Sequence, residues 1–285
     1  MYRSTETINY LRCPAYRQLK KDGWSPRGWG NKEVAAAIGS GIHAGTAVLD
    51  GSALTSPGGI RGAQRTALQV FTQEITQLPG EPQTKVAKER AKKGPQTIED
   101  VLTMYAEVDP LETAGLGVEE CERRLVVSTA DRIVHDKDGR RAVADLKTKT
   151  FPKTNPDYYR RNYTLDFSES WQMKQYLYEA RCVYDEWVYD VYLVLIDLNA
   201  VHVSVLPFHI THEEQMAWLL DAEQVWADMR AVDAGDRHAY RVDNHRTQYG
   251  LCEFFSGCFN EGSLELDYEN GGLNLYAKGG DGESD

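Results

Sequence analysis

Two aspartates and one lysine have the side-chain types and the spacing most suited to chemistry in this chain. Asp131 is followed fourteen positions later by Asp145, Leu146 and Lys147. Apolar, β-branched runs flank the DKDG sequence at residues 136–139, which is typical of a tight hairpin turn. Because side chains alternate between the faces of a strand, Asp145 and Lys147 should point to the same side. The hairpin then brings Asp131 back towards them.

The resulting group of two carboxylates and one ammonium is suited to a hard divalent cation. Mg²⁺ and Mn²⁺ prefer oxygen ligands, and a neighbouring lysine can orient or help to deprotonate a water molecule on the cation. An aspartate and a lysine two residues apart on a strand are also common as a solvated face or a surface ion pair. The hairpin alone therefore leaves a metal site and an ordinary surface as alternatives.

Further segments accompany the hairpin in a fixed order. They are Cys13-Pro14 at the end of an N-terminal helix, a glycine-rich helix with His43, Gln172 four residues before Tyr176, and Cys252 with Cys258. Together with the hairpin, this ordered set resembles the PD-(D/E)XK nuclease superfamily, and in particular its RecB-like exonuclease branch. That branch includes CRISPR adaptation exonucleases and phage recombination exonucleases. The resemblance spans residues 4 to about 260.

The resemblance implies both a fold and a set of roles. The fold is a restriction-endonuclease-like α/β core, in which helices flank a small mixed β-sheet that follows a helical N-terminal region. The resemblance assigns catalysis to Asp131, Asp145, Lys147, Gln172 and Tyr176, and metal binding to His43, Asp131, Asp145 and the carbonyl of Leu146. A histidine ligand would favour Mn²⁺ over Mg²⁺, because imidazole suits the softer ion better.

The residues themselves leave other interpretations of these helices open. A lone histidine on an apolar helix, such as His43, is often only packed or solvated. Gln172 and Tyr176 share one helix face, where a local contact or a core tyrosine is also common.

Four residues near the hairpin add smaller points. One of Glu119, Glu120 and Glu122 would be a further acidic ligand, although a solvated acidic turn is the more common arrangement. Ser128 stands three residues before Asp131, where the family usually has glycine, and we expect this to alter a backbone turn and not the chemistry.

A basic and aromatic segment follows the predicted catalytic lysine. Interleaved cations and aromatic rings can contact phosphates and stack on unpaired bases, although ordinary surface loops also have this composition. The predicted DNA-binding residues are Lys149, Lys153, Tyr158, Arg160 and Arg161.

The net charge of −11 argues at first sight against a nucleic-acid partner. The acidic residues, however, are concentrated at 112–122, 213–236 and 261–285, and basic residues collect at 85–93 and 147–161. Carboxylates that bind a cation also repel DNA until the cation is present. Net charge therefore does not exclude DNA.

The cysteines have two interpretations, either ordinary buried free thiols that pack as small apolar side chains or, by the resemblance, the remnant of a metal cluster. In the related exonucleases, four cysteines bind a 4Fe–4S cluster, and Cys13, Cys252 and Cys258 match three of those positions. Tyr249 stands at the fourth. Because four thiolates are the usual ligand set, we expect no intact cluster here and interpret the three cysteines as a remnant. An odd count of five cysteines also argues against a disulfide framework.

The chain is long enough for one large domain, and we predict a single nuclease domain over residues 1–262 with a flexible tail at 263–285. Within it, residues 1–110 form the helical part and 111–262 the catalytic core. No apolar run reaches the roughly 18 residues of a membrane span, and no signal-peptide pattern is present, so we expect a cytoplasmic protein without membrane contact.

The pattern of apolar, turn and capping residues predicts the elements along the chain. We expect helices at 5–21, 33–50, 63–78, 97–108, around Gln172 and Tyr176, and from the Thr211–Glu214 capping box to about 231; loops or polar stretches at 51–62, 79–96 and 150–167; and hairpins at 122–149 and 187–208.

These observations lead to a metal-dependent DNA exonuclease of recombination or repair, of phage type, as the first hypothesis. A CRISPR spacer-acquisition nuclease is the second, and the missing fourth cysteine weighs against it. A non-catalytic DNA-binding protein with a nuclease fold is an alternative of another class, but Asp131, Asp145 and Lys147 are all present. Expected partners are linear DNA, a single-strand annealing or other recombination protein, and further copies of the chain in a homo-oligomer.

Overall fold

The computed structural model describes residues 1–21, 24–26, 30–52, 57–78, 82, 84–237, 246–247, 250–251 and 276–278. Cys252, Cys258, Tyr249 and the predicted tail lie outside these residues. The chain divides into two compact units, of which the larger comprises Gly30–Leu78 and Pro82–Leu220. The smaller comprises Met1–Trp29, Pro79–Glu81 and Asp221–Asp285. Within the described ranges, no helix has the length and apolarity that crossing a membrane requires.

The smaller unit begins with two helices where the sequence suggested one. Helix α1 (Ser4–Arg12) ends at Cys13, and α2 (Pro14–Lys21) starts at the next residue. Cys13 is extended because the residue before a proline is disfavoured in the helical region. Two short antiparallel pairs also belong here: β1 (Trp24–Pro26) with β9 (Tyr276–Lys278), and β7 (Arg246–Thr247) with β8 (Gly250–Leu251).

The larger unit begins with a helical part that is more extensive than predicted. Helices α3, α4 and α5 cover Asn31–Ser52, Pro57–Gln77 and Lys85–Val108, and the short α6 covers Pro110–Thr113. The prediction of a loop at 51–62 is thus wrong from Pro57 onwards, and the polar stretch predicted up to 96 is helical from Lys85. Its charged residues form the solvated face of α5, whose other face buries Ala87 and Ile98.

Five strands form one mixed sheet in the order β2-β3-β4-β5-β6, which confirms the predicted architecture. Their bounds are Gly117–Arg124, Thr129–His135, Arg141–Lys149, Asp190–Asp197 and His202–His209. The pair β4–β5 is parallel and the other three pairs are antiparallel. The predicted first hairpin is present as β3–β4, and β2 extends it to three strands.

Two helices connect the parallel strands. A parallel pair needs a crossover connection, and here it consists of α7 (Pro156–Ser168) and α8 (Trp171–Tyr184). The prediction of a loop over residues 150–167 is therefore wrong for most of its length. Pro156 lies at the start of α7, where a backbone N–H would have no partner within the helix in any case. Near the other end of α7, the Phe167 side chain is buried.

Opposite faces of the sheet meet different helices. Met173 and Leu177 of α8 pack in one apolar cluster with Ile133 and Val143 of the sheet. Arg132 of β3 points to the other face and hydrogen-bonds α3 there. The site described next lies where the pairing of β3 with β4 ends.

The second hairpin and the last helix agree with the sequence. Strands β5 and β6 pair antiparallel from Asp190–His209 to Asp197–His202. Helix α9 covers His212–Asp233, and before it the Thr211 backbone N–H donates to Glu214 while the Glu214 N–H donates to the Thr211 hydroxyl. This reciprocal pair is the predicted capping box.

Candidate active site

Strands β3 and β4 separate at the point where the first aspartate lies. Their backbone pairing runs from His135–Arg141 to Arg132–Ala144. Beyond it, β3 continues beside β2, and β4 continues beside β5. The Asp131 carboxylate lies in this opening, and its Oδ2 accepts a hydrogen bond from the Leu146 backbone N–H at 2.7 Å. A side chain thus replaces a backbone acceptor, which fixes the Asp131 carboxylate against β4.

Asp145 is the most deeply buried charged group of the site. The residue has no exposed surface, and its Oδ2 lies 2.7 Å from the Lys147 ammonium nitrogen. Among the described residues, none donates a hydrogen bond to its Oδ1. A buried carboxylate oxygen without a donor is costly unless another positive group binds it. A buried carboxylate oxygen that accepts no hydrogen bond is available to bind a cation.

A second group of potential ligands includes Asp131. The Nδ1 atom of His43, from α3, lies 3.3 Å from Asp131 Oδ2. Ligand atoms of His43, Glu122 and Asp131 all lie within 4.8 Å of one another. The structure therefore brings together His43 and the predicted aspartate from elements that are far apart in the sequence.

Glu122 is the member of this group that sequence reasoning left undecided among three neighbouring glutamates. Glu119 is bound by Arg141 and Glu120 accepts a hydrogen bond from Tyr184, so neither is directed to the site. Glu122 is a non-glycine residue with φ of +49° inside β2, a conformation that costs on the order of 1 kcal/mol and is frequent at functional sites. No sequence signal announces this backbone conformation.

The charges of the site shift its protonation equilibria. Burial raises the pKa of Asp145 to about 6, with Lys147 opposing the shift and Asp131 adding to it. Burial also opposes ionisation of Asp131, but its contacts with His43, Lys147 and the Leu146 amide prevail and lower its pKa. Burial likewise disfavours the Lys147 ammonium, yet Asp145 and Asp131 outweigh it and raise the pKa of Lys147. The lysine therefore holds its proton at neutral pH.

Gln172 and Tyr176 lie on α8 as predicted, and they contact each other. Gln172 Nε2 donates to the Tyr176 hydroxyl oxygen at 2.6 Å. Burial, followed by the charge of Asp145, raises the pKa of Tyr176. The hydroxyl therefore keeps its proton and can donate it elsewhere. The charge of Lys147 opposes this pKa shift, so the hydroxyl lies within electrostatic range of both Asp145 and Lys147.

Helix α8 is joined to the start of β3 by a buried glutamate. Glu179 Oε2 accepts the backbone N–H groups of Val127 and Ser128, and its Oε1 accepts the Ser128 hydroxyl and Gln175 Nε2. Ser128, expected only to alter a turn, thus contributes a hydrogen bond of its own. The three bonds from Val127 and Ser128 hold the tyrosine-bearing helix against the residues that lead into β3, and the bond from Gln175, within α8, orients the carboxylate.

The predicted DNA-binding residues are divided by the structure. Tyr158 and Arg161 are exposed on α7, and Lys153 is exposed before it. Arg160 instead forms an ion pair with Asp197 at 2.6 Å. Lys149 lies with its ammonium nitrogen 4.5 Å from the centre of the Tyr163 ring. Helix α7 thus offers a partly basic, aromatic surface, in which two of the cations already have protein partners.

The predicted iron–sulfur remnant falls mostly outside the described residues, which include Cys13 but neither Cys252 nor Cys258. Cys13 and Cys121 are half-buried and Cys182 is exposed, and all three are free thiols.

The divalent-cation site fits the residues that are present. The donor set consists of carboxylate oxygens, one imidazole nitrogen and a deeply buried carboxylate without a donor, which suits Mg²⁺ or Mn²⁺ and not a soft thiophilic ion. His43, Glu122, Asp131 and Asp145 are the side chains that would hold it, together with the predicted Leu146 carbonyl.

Comparison with known proteins places the chain in a family. The crystal structure of a "putative exonuclease" from Eubacterium rectale matches with a TM-score of 0.48 and 14% identity, over 94% of this chain and 92% of that one. A likeness at this level carries no functional argument. The search among curated proteins found no match. The model of the PD-(D/E)XK nuclease superfamily matches residues 5–258, which is most of the chain. This chain belongs to the PD-(D/E)XK nuclease superfamily.

Proposed function

We propose that this protein is a divalent-metal-dependent deoxyribonuclease that degrades linear DNA as an exonuclease in recombination or repair. The observation that carries the proposal is the buried Asp145 carboxylate, whose Oδ1 has no hydrogen-bond donor among the described residues, next to Lys147. A buried carboxylate without a hydrogen-bond donor destabilises the fold if its role is only structural. The same carboxylate is suited to bind a cation.

Four side chains would bind the cation together. Asp131 and Asp145 supply negative charge from two adjacent strands, and His43 and Glu122 complete the set from α3 and β2. When bound, a Mg²⁺ or Mn²⁺ ion supplies Lewis-acid stabilisation of the charge that develops on the scissile phosphate. The imidazole of His43 favours Mn²⁺.

Lys147 contributes a proton-bearing ammonium and not a free amine. Because Asp145 and Asp131 raise its pKa, its Nζ stays charged at neutral pH. A charged lysine cannot remove a proton from water, but it can orient a water molecule and neutralise part of the charge on the phosphate. Of the two roles predicted for it, orienting water is the one that this electrostatic setting favours.

Tyr176 would act as a hydrogen-bond donor to the phosphate. Its oxygen already accepts the Gln172 amide, so its own proton is available for a second partner. Gln172 fixes the hydroxyl and Glu179 fixes the helix, which limits the freedom that would be lost when substrate binds.

The direct test is cleavage of end-labelled linear DNA, compared with covalently closed circular DNA, in Mg²⁺, Mn²⁺ and EDTA. We expect linear DNA alone to be degraded, and only when a cation is present. Asp145→Asn and Lys147→Met should each lower the rate by about a hundredfold or more. Asp138→Asn, in the exposed turn between the same two strands, is the matched control and should cleave at the wild-type rate.

Three results would contradict the proposal. Near-wild-type cleavage by either active-site variant would refute the assignment of the site, and degradation of circular DNA at the same rate would exclude an exonuclease. DNA binding without cleavage in any cation would instead support a non-catalytic DNA-binding protein. Substrates blocked at the 5′ or the 3′ end then give the polarity.

A further inference from the structure

A buried arginine directly follows Asp131, one of the predicted metal ligands. Arg132 is 2% exposed, and its Nε donates to Asp50 Oδ2 on α3 at 2.6 Å. The same carboxylate oxygen accepts the Tyr105 hydroxyl of α5 at 3.1 Å. Arg132 points to the α3 face of the sheet and has no part in the chemistry proposed above. A buried charge of this kind needs partners, and the identity of those partners shows what it does.

The two terminal nitrogens of Arg132 contact Asp131 and Glu122 directly and are linked to His43 through Thr46. Nη1 donates to the backbone carbonyl of Asp131 at 2.6 Å and lies 3.4 Å from Glu122 Oε1. Nη2 donates to the Thr46 hydroxyl at 3.0 Å, and that hydroxyl donates to the His43 carbonyl at 3.0 Å. One guanidinium thus connects β3, β2 and α3, each of which carries one of the three ligands.

We infer that Arg132 is a positioning residue, which sets the separation of His43, Glu122 and Asp131 so that they can bind one cation together. The inference rests on the proposed function, and it adds a residue that touches neither the cation nor the substrate. Groups that orient metal ligands commonly change metal affinity by about tenfold to a hundredfold when they are replaced.

The geometry of the group explains why an arginine is required. A guanidinium donates in fixed, divergent directions from one rigid plane, whereas a lysine ammonium is a single point charge on a flexible stem. Lysine would preserve the charge opposite Asp50 but could not hold Asp131, Glu122 and Thr46 in one plane. Arg132→Lys therefore separates placement of the ligands from charge balance.

The experiment is calorimetric titration of metal-free, full-length protein with MnCl₂, which yields the dissociation constant and the stoichiometry separately. The variants are Arg132→Lys and Thr46→Val, the latter nearly isosteric and lacking only the hydroxyl between Arg132 and His43. The matched control is Arg17→Lys, because Arg17 is another buried arginine that binds an aspartate, Asp233. Thermal unfolding of each metal-free variant is recorded alongside.

We expect the Mn²⁺ dissociation constant to rise by about tenfold or more in Arg132→Lys and Thr46→Val, with unchanged stoichiometry. Arg17→Lys should lose thermal stability and keep the wild-type dissociation constant. A lower stoichiometry at an unchanged constant would mean that Arg132 only stabilises the fold, and it would overturn the inference. If Arg132→Lys does not fold, Thr46→Val decides alone. Absence of Mn²⁺ binding by the wild type would overturn the proposed function as well.

Discussion

At the scale of residues, the site is a concentration of negative charge that one lysine does not balance. Asp145 pairs with the Lys147 ammonium, and Asp131 lies beside His43. Glu122 lies 3.4 Å from the Arg132 guanidinium, which Asp50 already binds. Burial raises the pKa of Glu122, and the charge of Asp131 adds to the shift. A bound cation would relieve this repulsion, which is why each of these acids should matter more for metal binding than for folding.

Glu122 provides the residue-scale prediction. Glu122→Gln removes one ligand charge, so the Mn²⁺ dissociation constant should rise by about tenfold, equivalent to about 1.4 kcal/mol, while metal-free stability stays the same or increases. Calorimetric titration with MnCl₂ measures this dissociation constant, and thermal unfolding measures the metal-free stability. Glu120→Gln is the control two residues away, because its carboxylate accepts a hydrogen bond from Tyr184 and not from the site. An equal loss in both variants would show only a general effect of charge.

At the scale of elements, the glycines of α3 are explained by helix packing. A Cβ atom at Gly41 would lie 2.9 Å from the Ala67 carbonyl oxygen of α4 and 3.0 Å from Ile98 of α5. A Cβ at Gly39 would lie 3.0 Å from the Thr148 hydroxyl of β4. Because Gly39 and Gly41 have no side chain, α3 can approach its neighbours closely and hold His43 beside the sheet.

Two glycine substitutions should therefore have opposite signs. Gly41→Ala forces atoms apart at a cost of about 1–3 kcal/mol, which exceeds the helix-propensity gain of about 0.5–1 kcal/mol. Gly62→Ala, in α4, meets no atom within 4 Å and should raise stability by that gain. Chemical denaturation of both variants measures the difference. A stabilised Gly41→Ala would mean that α3 and α4 are not packed as closely as described.

Helix α7 provides a second prediction at this scale, because its adjacent arginines have different surroundings. Arg160 binds Asp197, whose other oxygen accepts the Asn199 N–H of the β5–β6 turn, so Arg160→Ala should cost about 1–3 kcal/mol of stability. Arg161 is exposed, and Arg161→Ala should leave stability unchanged, weaken DNA binding and reduce its salt slope by about 1. Fluorescence anisotropy at several salt concentrations tests this, and unchanged affinity would remove α7 from the DNA interface.

At the scale of the whole molecule, a net charge of −11 must be reconciled with the polyanionic substrate that we propose. Part of the acid is engaged in internal ion pairs, as at Asp233, which accepts from Arg17 at 2.7 Å, Lys21 at 2.8 Å and Tyr2 at 2.9 Å. The hydrogen bond from Arg17 is the largest cause that holds the pKa of Asp233 well below its usual range. Such acids stabilise the fold, and they do not contribute to DNA repulsion as free charges would.

Asp233 gives the prediction on acid stability. Its pKa is lower in the folded state than the value of about 3.9 in an unfolded chain, so the folded protein binds fewer protons between these two values. The stabilisation is complete above about pH 4 and is lost as the pH falls towards the lowered folded pKa. Asp233→Asn should therefore lower the melting temperature most at neutral pH. Circular dichroism melts from pH 7 to pH 3 measure it, and a difference that grows in acid would reverse the sign of the argument.

The sequence by itself determined the elements that depend on neighbouring residues. The DKDG turn between two β-branched runs predicted β3–β4, the alternation along β4 predicted that Asp145 and Lys147 share a side, and the Thr211–Glu214 pair predicted the start of α9. These succeed because turn geometry, strand alternation and capping are local. The same local reasoning failed at α5 and α7, where tertiary burial of one face, and not propensity, makes a polar segment helical.

Tertiary structure alone decided the contacts that join distant positions. Glu122 was distinguished from its neighbours by a positive φ, and Ser128 acquired a role from Glu179, 51 residues away. Arg132 meets Asp50 across 82 positions. Such pairs have no periodicity or motif to announce them, because what brings them together is the closure of the sheet onto α3 and α8. The family and its aspartates are thus readable in the sequence, whereas the arrangement that would let them bind one cation exists only in the fold.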